Sequence, residues 1–115
     1  MFIGEYKHNI DQKGRLAIPA AFRQLLSAGA VVTRGLDRCL FLFPKQAWLE
    51  LAEKLMKLPL SQANSRAFVR LMLAGAKDAE LDKQGRILIP EYLKTYAELG
   101  KKAVVAGIFN RAEIW

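Results

Sequence analysis

Apolar residues recur along this chain with two different periods. In some segments every second residue is apolar, which is the pattern of a β-strand with one buried face. In others the spacing is three to four, which is the pattern of a helix. Pro19 and Gly29 bound one helical segment, at the positions where helices commonly begin and end. In chain order the first part is predicted to form strand, turn, strand, short helix, strand, turn and strand, with inward positions at Tyr6, His8, Ile10, Leu16, Ile18, Phe22, Leu25 and Leu26.

The same order of elements occurs twice in the sequence. The first loop, Asp11-Gln12-Lys13-Gly14-Arg15, returns as the second loop, Asp82-Lys83-Gln84-Gly85-Arg86. The residues that follow also match, since Leu16-Ala17-Ile18-Pro19 and Phe22-Arg23 correspond to Ile87-Leu88-Ile89-Pro90 and Leu93-Lys94. Because only two copies are present, the pattern indicates a duplicated unit and not a solenoid.

Each loop has the composition of a tight turn. Aspartate at the first position can accept hydrogen bonds from the backbone ahead of it, and glycine at the fourth position tolerates a positive φ. Apolar strands are expected on both sides. Each copy is therefore predicted to be a β-hairpin whose turn is held by Asp11 and Gly14 in the first copy and by Asp82 and Gly85 in the second.

An arginine ends each loop on the face opposite to the predicted core. Leu16 and Ile18 share the inward face of one strand, which leaves Arg15 outward, and the second copy places Arg86 in the same way. An outward guanidinium at a hairpin tip can bind a phosphate or the edge of a base. A second interpretation is open at this point: each arginine pairs with the aspartate four residues back and only holds the loop.

Four short strands with one open face cannot bury a core alone, so the two copies are expected to close on each other. The predicted fold class is mainly β with α: a small barrel of interlocked hairpins with pseudo-two-fold symmetry and helices outside it. Pro44 is expected to open a second helix, and the polar segment Ser61–Ser65 to cap a third. The predicted division is a first repeat at 5–47, a helical connection at 48–75 and a second repeat at 76–115. The second repeat lacks the helix that follows the first, either because the duplicate lost it or because the chain is truncated.

Composition narrows the class of protein. At 115 residues with 52% hydrophobic residues, the chain can pack one domain or two halves that share a core. Its 18 Lys and Arg against 11 Asp and Glu give a net charge of +7, so an anionic partner is expected, most often nucleic acid. Cys39 lies among apolar residues and has no second cysteine to pair with, which indicates a buried thiol in a reducing cytoplasm. No apolar run is long enough for a membrane span.

Residues for catalysis are sparse. The chain has one His and one Cys, neither in a nucleophile motif, and no metal-ligand spacing. His8 lies on the inward face and its counterpart in the second copy is Ala79, which favours a packed histidine. Gly14 and Gly85 belong to hairpins, not to a phosphate loop before a helix. The sequence therefore predicts a binding protein and not an enzyme, with no cofactor and no small-molecule substrate.

The paired Asp-x-x-Gly-Arg loops, the Arg-[Leu/Ile]-x-Ile-Pro strands and the ending Arg-Ala-Glu-Ile-Trp closely resemble the MraZ family of bacterial transcriptional regulators over essentially the whole chain. The resemblance implies tandem swapped-hairpin domains of the AbrB and SpoVT type. It also implies ring-shaped homo-oligomers and a nucleoid-associated repressor that binds short tandem repeats of double-stranded DNA upstream of its own cell-division and cell-wall gene cluster. The family's Asp-x-x-x-Arg motif corresponds to Asp11 with Arg15 and to Asp82 with Arg86.

Two functional classes follow from these observations. The first is a sequence-specific DNA-binding repressor, whose DNA contacts are assigned to Lys13, Arg15, Lys83 and Arg86. The first loop is expected to contact DNA more strongly, because Lys13 directly precedes Gly14 and Arg15. For Arg86 two roles are open, a second contact with DNA or an ion pair with Asp82 at a subunit interface. The alternative is an oligomeric scaffold or antitoxin-like module whose basic loops meet an acidic protein.

Overall fold

The computed structural model describes residues 1–115, and its elements follow the predicted order. Its strands are β1 (Phe2–Asn9), β2 (Arg15–Ala17), β3 (Ala30–Arg34), β4 (Leu40–Pro44), β5 (Lys77–Asp78), β6 (Arg86–Leu88), β7 (Lys102–Phe109) and β8 (Ala112–Ile114). Its α-helices are α1 (Ala20–Arg23), α2 (Lys45–Leu55), α3 (Ala63–Val69) and α4 (Glu91–Tyr96). A short 3₁₀ turn lies at Gln24–Leu26, and a π-helical turn lies at Arg70–Ala74. The segment Leu36–Arg38 is a tight turn in which Asp37 and Arg38 have positive φ. None of the helices combines the length and the apolar content that a membrane span requires.

The two repeats exchange their first strands. β1 pairs with β7 along its whole length, and β2 pairs with β6, so both partners come from the second repeat. Within the first repeat, β1 and β2 are joined only by the bridge between Ile10 and Leu16. The predicted hairpin is therefore formed only at its tip, and the strands on either side of the tip pair with strands of the other repeat.

The strands form an open sheet and not the predicted closed barrel. Six antiparallel strands lie in the order β1-β7-β8-β4-β3-β5, and β2 and β6 make a separate two-stranded ribbon, the β2–β6 ribbon. The ribbon stops just before Pro19 and Pro90, because proline lacks the N–H that a longer ladder needs. At the far edge of the sheet, β5 is only two residues long. These short strands cannot bridge the two edges, so the α+β class is confirmed but the barrel is not closed.

One apolar core is shared by both repeats. Leu16 lies directly opposite Ile87, its equivalent in the second repeat, so a pseudo-two-fold axis passes between them. Both side chains are buried, as are Ile18 and Ile89, which confirms the predicted inward face of each strand. The core continues through Phe22, Leu26, Val32, Leu40, Leu42, Leu93, Val105 and Ile114. Because each repeat supplies part of this core, neither is expected to fold alone.

A second apolar cluster holds the helical connection against the outer face of the sheet, as predicted for peripheral helices. It comprises Cys39, Phe41, Phe43, Leu55 and Met72. The buried Thr33 hydroxyl donates a 2.6 Å hydrogen bond to the Met72 carbonyl, which ties β3 to the π-helical turn. Burial raises the pKa of the Cys39 thiol to about 12, so the thiol stays protonated and unreactive.

Two of the helix boundaries test the predictions. α2 begins at Lys45 with Pro44 as its N-cap residue, as predicted. The N-cap residue of α3 is Gln62, which lies within the predicted capping segment Ser61–Ser65, but no side chain of that segment donates or accepts a capping hydrogen bond. Ser61 precedes the N-cap residue by one position. Only a hydroxyl at the N-cap position itself reaches the free N–H groups of the first turn. Instead, the Arg66 guanidinium donates a 2.9 Å hydrogen bond to the Leu60 carbonyl and holds the incoming turn.

The shared core predicts a large stability difference between two leucines of the β2–β6 ribbon. Leu16 is fully buried, whereas Leu88 is on the outer face and 55% exposed. Leu16→Ala should lower the free energy of unfolding by about 2–5 kcal/mol, and the matched control Leu88→Ala by less than about 0.5 kcal/mol. Urea unfolding followed by circular dichroism and by tryptophan fluorescence measures both. Equal costs, or two separate transitions in the unmodified chain, would contradict a single shared core.

Candidate nucleic-acid interface

The first loop is organised by the Asp11 carboxylate. Its Oδ1 atom accepts hydrogen bonds of 2.9 Å from the backbone N–H groups of Lys13 and Arg15. Its Oδ2 atom accepts a 2.7 Å hydrogen bond from Nε of Arg15. The Gly14 N–H donates to the Asp11 carbonyl at 3.0 Å and closes the turn. One carboxylate therefore fixes both the path of the loop and the direction of its arginine.

The second loop repeats this arrangement atom for atom. Asp82 Oδ1 accepts hydrogen bonds from the backbone N–H groups of Gln84 at 2.8 Å and Arg86 at 2.9 Å. Asp82 Oδ2 accepts one from Nε of Arg86 at 3.0 Å. The Gly85 N–H donates to the Asp82 carbonyl at 3.0 Å. The sequence match between the loops thus reflects one geometry that is built twice.

Each loop is also locked to the opposite repeat through its glycine. The Gly14 carbonyl accepts a 2.8 Å hydrogen bond from the Ile89 N–H, and the Gly85 carbonyl accepts one of 2.9 Å from the Ile18 N–H. Both glycines have positive φ, +84° and +75°. A Cβ at Gly14 would lie 2.9 Å from the Ile89 carbonyl oxygen, which leaves no room for a side chain.

The loop arginines pair with aspartate and still keep free donors. In both loops the carboxylate takes only the Nε–H, and the two Nη groups of Arg15 donate no hydrogen bond within the chain. The two interpretations of these arginines are therefore compatible, because Nε holds the side chain while the Nη groups remain open to a ligand. The loops differ in one contact: Arg86 Nη1 lies 3.7 Å from Asp11 Oδ2, whereas Arg15 forms no ion pair with Asp82.

The surroundings of the two loops have opposite charge. Beside the first loop lies a shallow depression whose basic lining residues are Lys94, Lys101 and Lys102. The charged residues that line the equivalent surface beside the second loop are two acids, Asp78 and Glu80, and one cation, Lys45. Lys13 and Lys83 are both exposed and form no ion pair. An anionic ligand therefore meets a more favourable potential at the first loop.

Two further cations near the loops, Arg23 and Lys94, were not among the site residues predicted from the sequence. The Arg23 Nε–H donates a 2.9 Å hydrogen bond to the Ile18 carbonyl, and its guanidinium lies against Gly85 of the second loop. Lys94, its equivalent, lies beside Gly14 of the first loop. Each loop therefore has a cation contributed by the helix of the other repeat. The matched pairs Phe22-Arg23 and Leu93-Lys94 showed that a cation recurs at this position of the repeat. They could not show which loop each cation approaches, because that loop lies far away in the sequence.

The two loop carboxylates are held in their charged form. The backbone N–H of Arg15 is the main reason that the pKa of Asp11 lies below its ordinary 3.8, and the Arg15 guanidinium adds to the effect. The backbone N–H of Arg86 lowers the pKa of Asp82 in the same way, followed by that of Gln84. At neutral pH each loop therefore presents an arginine on an ionised aspartate. No three His, Cys, Asp or Glu side chains of the chain are grouped closely enough to hold a metal ion.

Comparison with known proteins gives consistent matches over both repeats. A family model described as MraZ protein, antitoxin-like, matches residues 1–71 and 72–115. The transcriptional regulator MraZ of Moorella thermoacetica is 55% identical over 115 residues, which make up all of this chain and 80% of that protein. Proteins of the same name from Desulforamulus reducens and Roseiflexus castenholzii are 53% and 55% identical, and the match spans all of this chain and 81% and 80% of theirs.

The loop geometry predicts that a methyl group is tolerated at one glycine and not at another. Gly14→Ala should cost roughly 1–3 kcal/mol, because alanine is strained at positive φ and its Cβ would press on the Ile89 carbonyl. Gly100 has open space around it, so Gly100→Ala should change stability by less than about 1 kcal/mol. Chemical unfolding measures both variants, and equal costs would show that the first loop is not locked as described.

A second prediction concerns the pH dependence of stability. Because folding lowers the pKa of Asp11, its contribution is complete above the ordinary value and disappears as the pH falls through the lower folded value. Asp11→Asn should therefore destabilise the protein at neutral pH, and its difference from the unmodified chain should shrink below about pH 4. Asp37, whose carboxylate accepts no hydrogen bond within the chain, gives the control Asp37→Asn. A difference for Asp11→Asn that stays constant from neutral to strongly acidic pH would contradict the assignment.

Proposed function

This chain belongs to the MraZ family, and we propose that it is a sequence-specific DNA-binding transcriptional regulator. The relatives described above carry the name of transcriptional regulator. The observation that carries the DNA-binding part is the pair of loops with their Nη groups open, built alike on both sides of the pseudo-two-fold axis. Guanidinium groups held in a fixed direction suit bidentate contacts to guanine, the commonest specific contact in the major groove.

The roles of the loop residues follow from their contacts. Arg15 contacts base edges and Lys13 contacts phosphate, while Arg86 and Lys83 make weaker contacts from the second loop. The first loop dominates because Arg15 makes no ion pair with the second loop, whereas Arg86 Nη1 lies 3.7 Å from Asp11 Oδ2 and is less free to bind a ligand. The turn residues Asp11, Gly14, Asp82 and Gly85 position these cations without touching DNA.

Arg23 and Lys94 extend this surface beyond the residues proposed from the sequence. Each lies beside the loop of the other repeat, and neither ends in a tight ion pair, since Lys94 Nζ is 3.7 Å from Glu91 and Arg23 has no acidic partner. Together with Lys101 and Lys102, Lys94 makes the surroundings of the first loop basic, while Arg23 adds one cation beside the second loop. These cations supply the sequence-independent part of DNA affinity, which arises from release of counterions.

The broader biological role is part of the same proposal. The protein acts as a repressor of its own cell-division and cell-wall gene cluster, is located in the cytoplasm on the nucleoid, and binds short tandem repeats as a ring-shaped homo-oligomer. A ring supports this role because the loops of several protomers can contact adjacent DNA repeats at once, so that weak single contacts combine into high avidity. Its functional division is a first repeat at 5–47, a helical connection at 48–75 and a second repeat at 76–115. It is a binding protein and not an enzyme, with no cofactor and no small-molecule substrate.

An antitoxin-like or scaffold role is the alternative, favoured by the description of the matching family model as antitoxin-like. The two classes are separated by titrating the protein into labelled duplexes with and without short tandem repeats, at several salt concentrations. The DNA-binding proposal expects tighter binding to the repeat duplex, with a gap that persists as salt rises. An antitoxin-like or scaffold protein would show no preference between the duplexes.

Substitution of the first loop tests the assigned contacts. Arg15→Ala should weaken binding to the repeat duplex by about 1–3 kcal/mol per engaged protomer and reduce base preference. Lys13→Ala should weaken binding to all duplexes alike and reduce the slope of log affinity against log salt by about one. Lys57→Ala, which removes an exposed cation of the helical connection, is the control and should change neither quantity. Circular dichroism and light scattering establish that each variant is folded and assembled. If Arg15→Ala then binds with unchanged affinity and preference, the assigned contact is wrong.

A further inference from the structure

A cluster of two arginines and two tyrosines lies apart from the loops and is not used by the proposed function. We refer to Arg34, Arg38, Tyr92 and Tyr96 as the arginine–tyrosine cluster. The Arg34 guanidinium carbon is 5.7 Å from the ring centre of Tyr92 and 5.9 Å from that of Tyr96. The Arg38 guanidinium carbon is 5.6 Å from the same Tyr96 ring. Two guanidinium groups thus converge on one aromatic side chain.

The tyrosines are fixed by hydrogen bonds, so the cluster is organised before any ligand arrives. The Tyr92 hydroxyl donates a 2.8 Å hydrogen bond to the Gly75 carbonyl, and the Tyr96 hydroxyl donates a 2.6 Å hydrogen bond to the Gly35 carbonyl. The stem of Arg34 packs at Gly75, where a Cβ would lie 3.1 Å from its Cγ. Three separate segments of the chain therefore hold the cluster in place.

The positive charge of this cluster is not compensated. Neither Arg34 nor Arg38 forms an ion pair, although Asp37 is adjacent in sequence. An aromatic face attracts a guanidinium more weakly than a carboxylate does, and it leaves the N–H donors of the guanidinium unused. Two neighbouring cations without a counter-charge repel each other, and a bound anion would relieve this repulsion.

The second repeat shows how such an arginine looks when it is compensated. Arg111 follows the β7–β8 turn as Arg38 follows the β3–β4 turn, and it also lies over an aromatic ring, 4.6 Å from the centre of Phe41. However, its guanidinium donates a 3.1 Å hydrogen bond to Glu113. The carboxylate is absent at the arginine–tyrosine cluster, so the donors there remain open to a ligand.

We propose that the arginine–tyrosine cluster binds a phosphate group, supplied either by the backbone of bound DNA or by free phosphate. Paired guanidinium groups match the planar donor geometry that phosphate oxygens accept. Only the DNA source rests on the proposed function. The DNA source is included because the short helix α4 carries both Lys94, which lies beside the first loop, and Tyr92 and Tyr96 of the cluster.

The phosphate site is tested first without DNA. Inorganic phosphate is titrated into the full chain at constant ionic strength against chloride, and the Arg Nε–Hε and Tyr ring signals are followed by NMR. We expect saturable shifts of the Arg34, Arg38, Tyr92 and Tyr96 signals, and their loss in the double variant Arg34→Gln with Arg38→Gln. Arg38→Lys, which keeps the charge but not the fork, should restore part of the shift relative to Arg38→Gln. Arg70→Gln removes an exposed arginine of the π-helical turn and should leave the shifts unchanged.

The DNA source is tested with the same variants. If the DNA backbone occupies the cluster, the double variant should bind all duplexes about three- to ten-fold more weakly, with a salt slope smaller by one to two and an unchanged base preference. If free phosphate is the ligand, DNA binding should be unchanged while the phosphate-induced shifts are lost. A chain that binds no DNA but shows the shifts would refute the proposed function and leave the phosphate site standing. The proposal is overturned if the double variant keeps both the phosphate-induced shifts and the DNA affinity of the unmodified chain.

Discussion

The exchange of strands between the two repeats is the constraint on which the rest of the structure depends. β2 and β6 pair across the pseudo-two-fold axis, with Leu16 opposite Ile87, and the glycine carbonyl of each loop accepts a hydrogen bond from the strand of the other repeat. The position of one loop is therefore set by the fold of the opposite half. A slip of one residue in this pairing would turn the buried leucine outward and move both loops at once, so the core and the surface share one register.

In each loop, the two ends of the arginine guanidinium have different roles: Nε is held by the aspartate, and the Nη groups remain open to a ligand. An arginine held only by solvent would lose much rotamer freedom on meeting a ligand. Here the aspartate holds Nε in advance, at 2.7 Å for Asp11 and 3.0 Å for Asp82, and leaves the outer nitrogen atoms available. The two halves then differ in their surroundings, basic beside one loop and acidic beside the other. The two loops thus share one geometry, and the residues around them make their surroundings unequal.

The sequence patterns predicted correctly which residues of a strand point into the core, but they did not predict which strands pair with each other. Alternation placed Leu16 and Ile89 inward, and Pro44 marked a helix start, because these features depend on neighbours in the chain. The partner of β1 did not follow from its own pattern, since β7 lies almost a full chain length away and any strand with the same period would fit. The prediction of a closed barrel was wrong because closure depends on strand lengths: Pro19 and Pro90 limit the β2–β6 ribbon, and β5 is only two residues long. Arg23 was visible as a repeated residue, yet its position beside Gly85 is a long-range contact.

Both partners of the exchanged pair reside in a single polypeptide, and this changes how the pair responds to dilution. Two separate chains that swap strands fall apart when their concentration drops below the dissociation constant of the pair. In this chain the connection of helices α2 and α3 keeps the second half tethered to the first, at an effective concentration that does not depend on how many molecules are present. The fraction of molecules with both loops formed should therefore be the same in a cell that holds a few copies as in one that holds many.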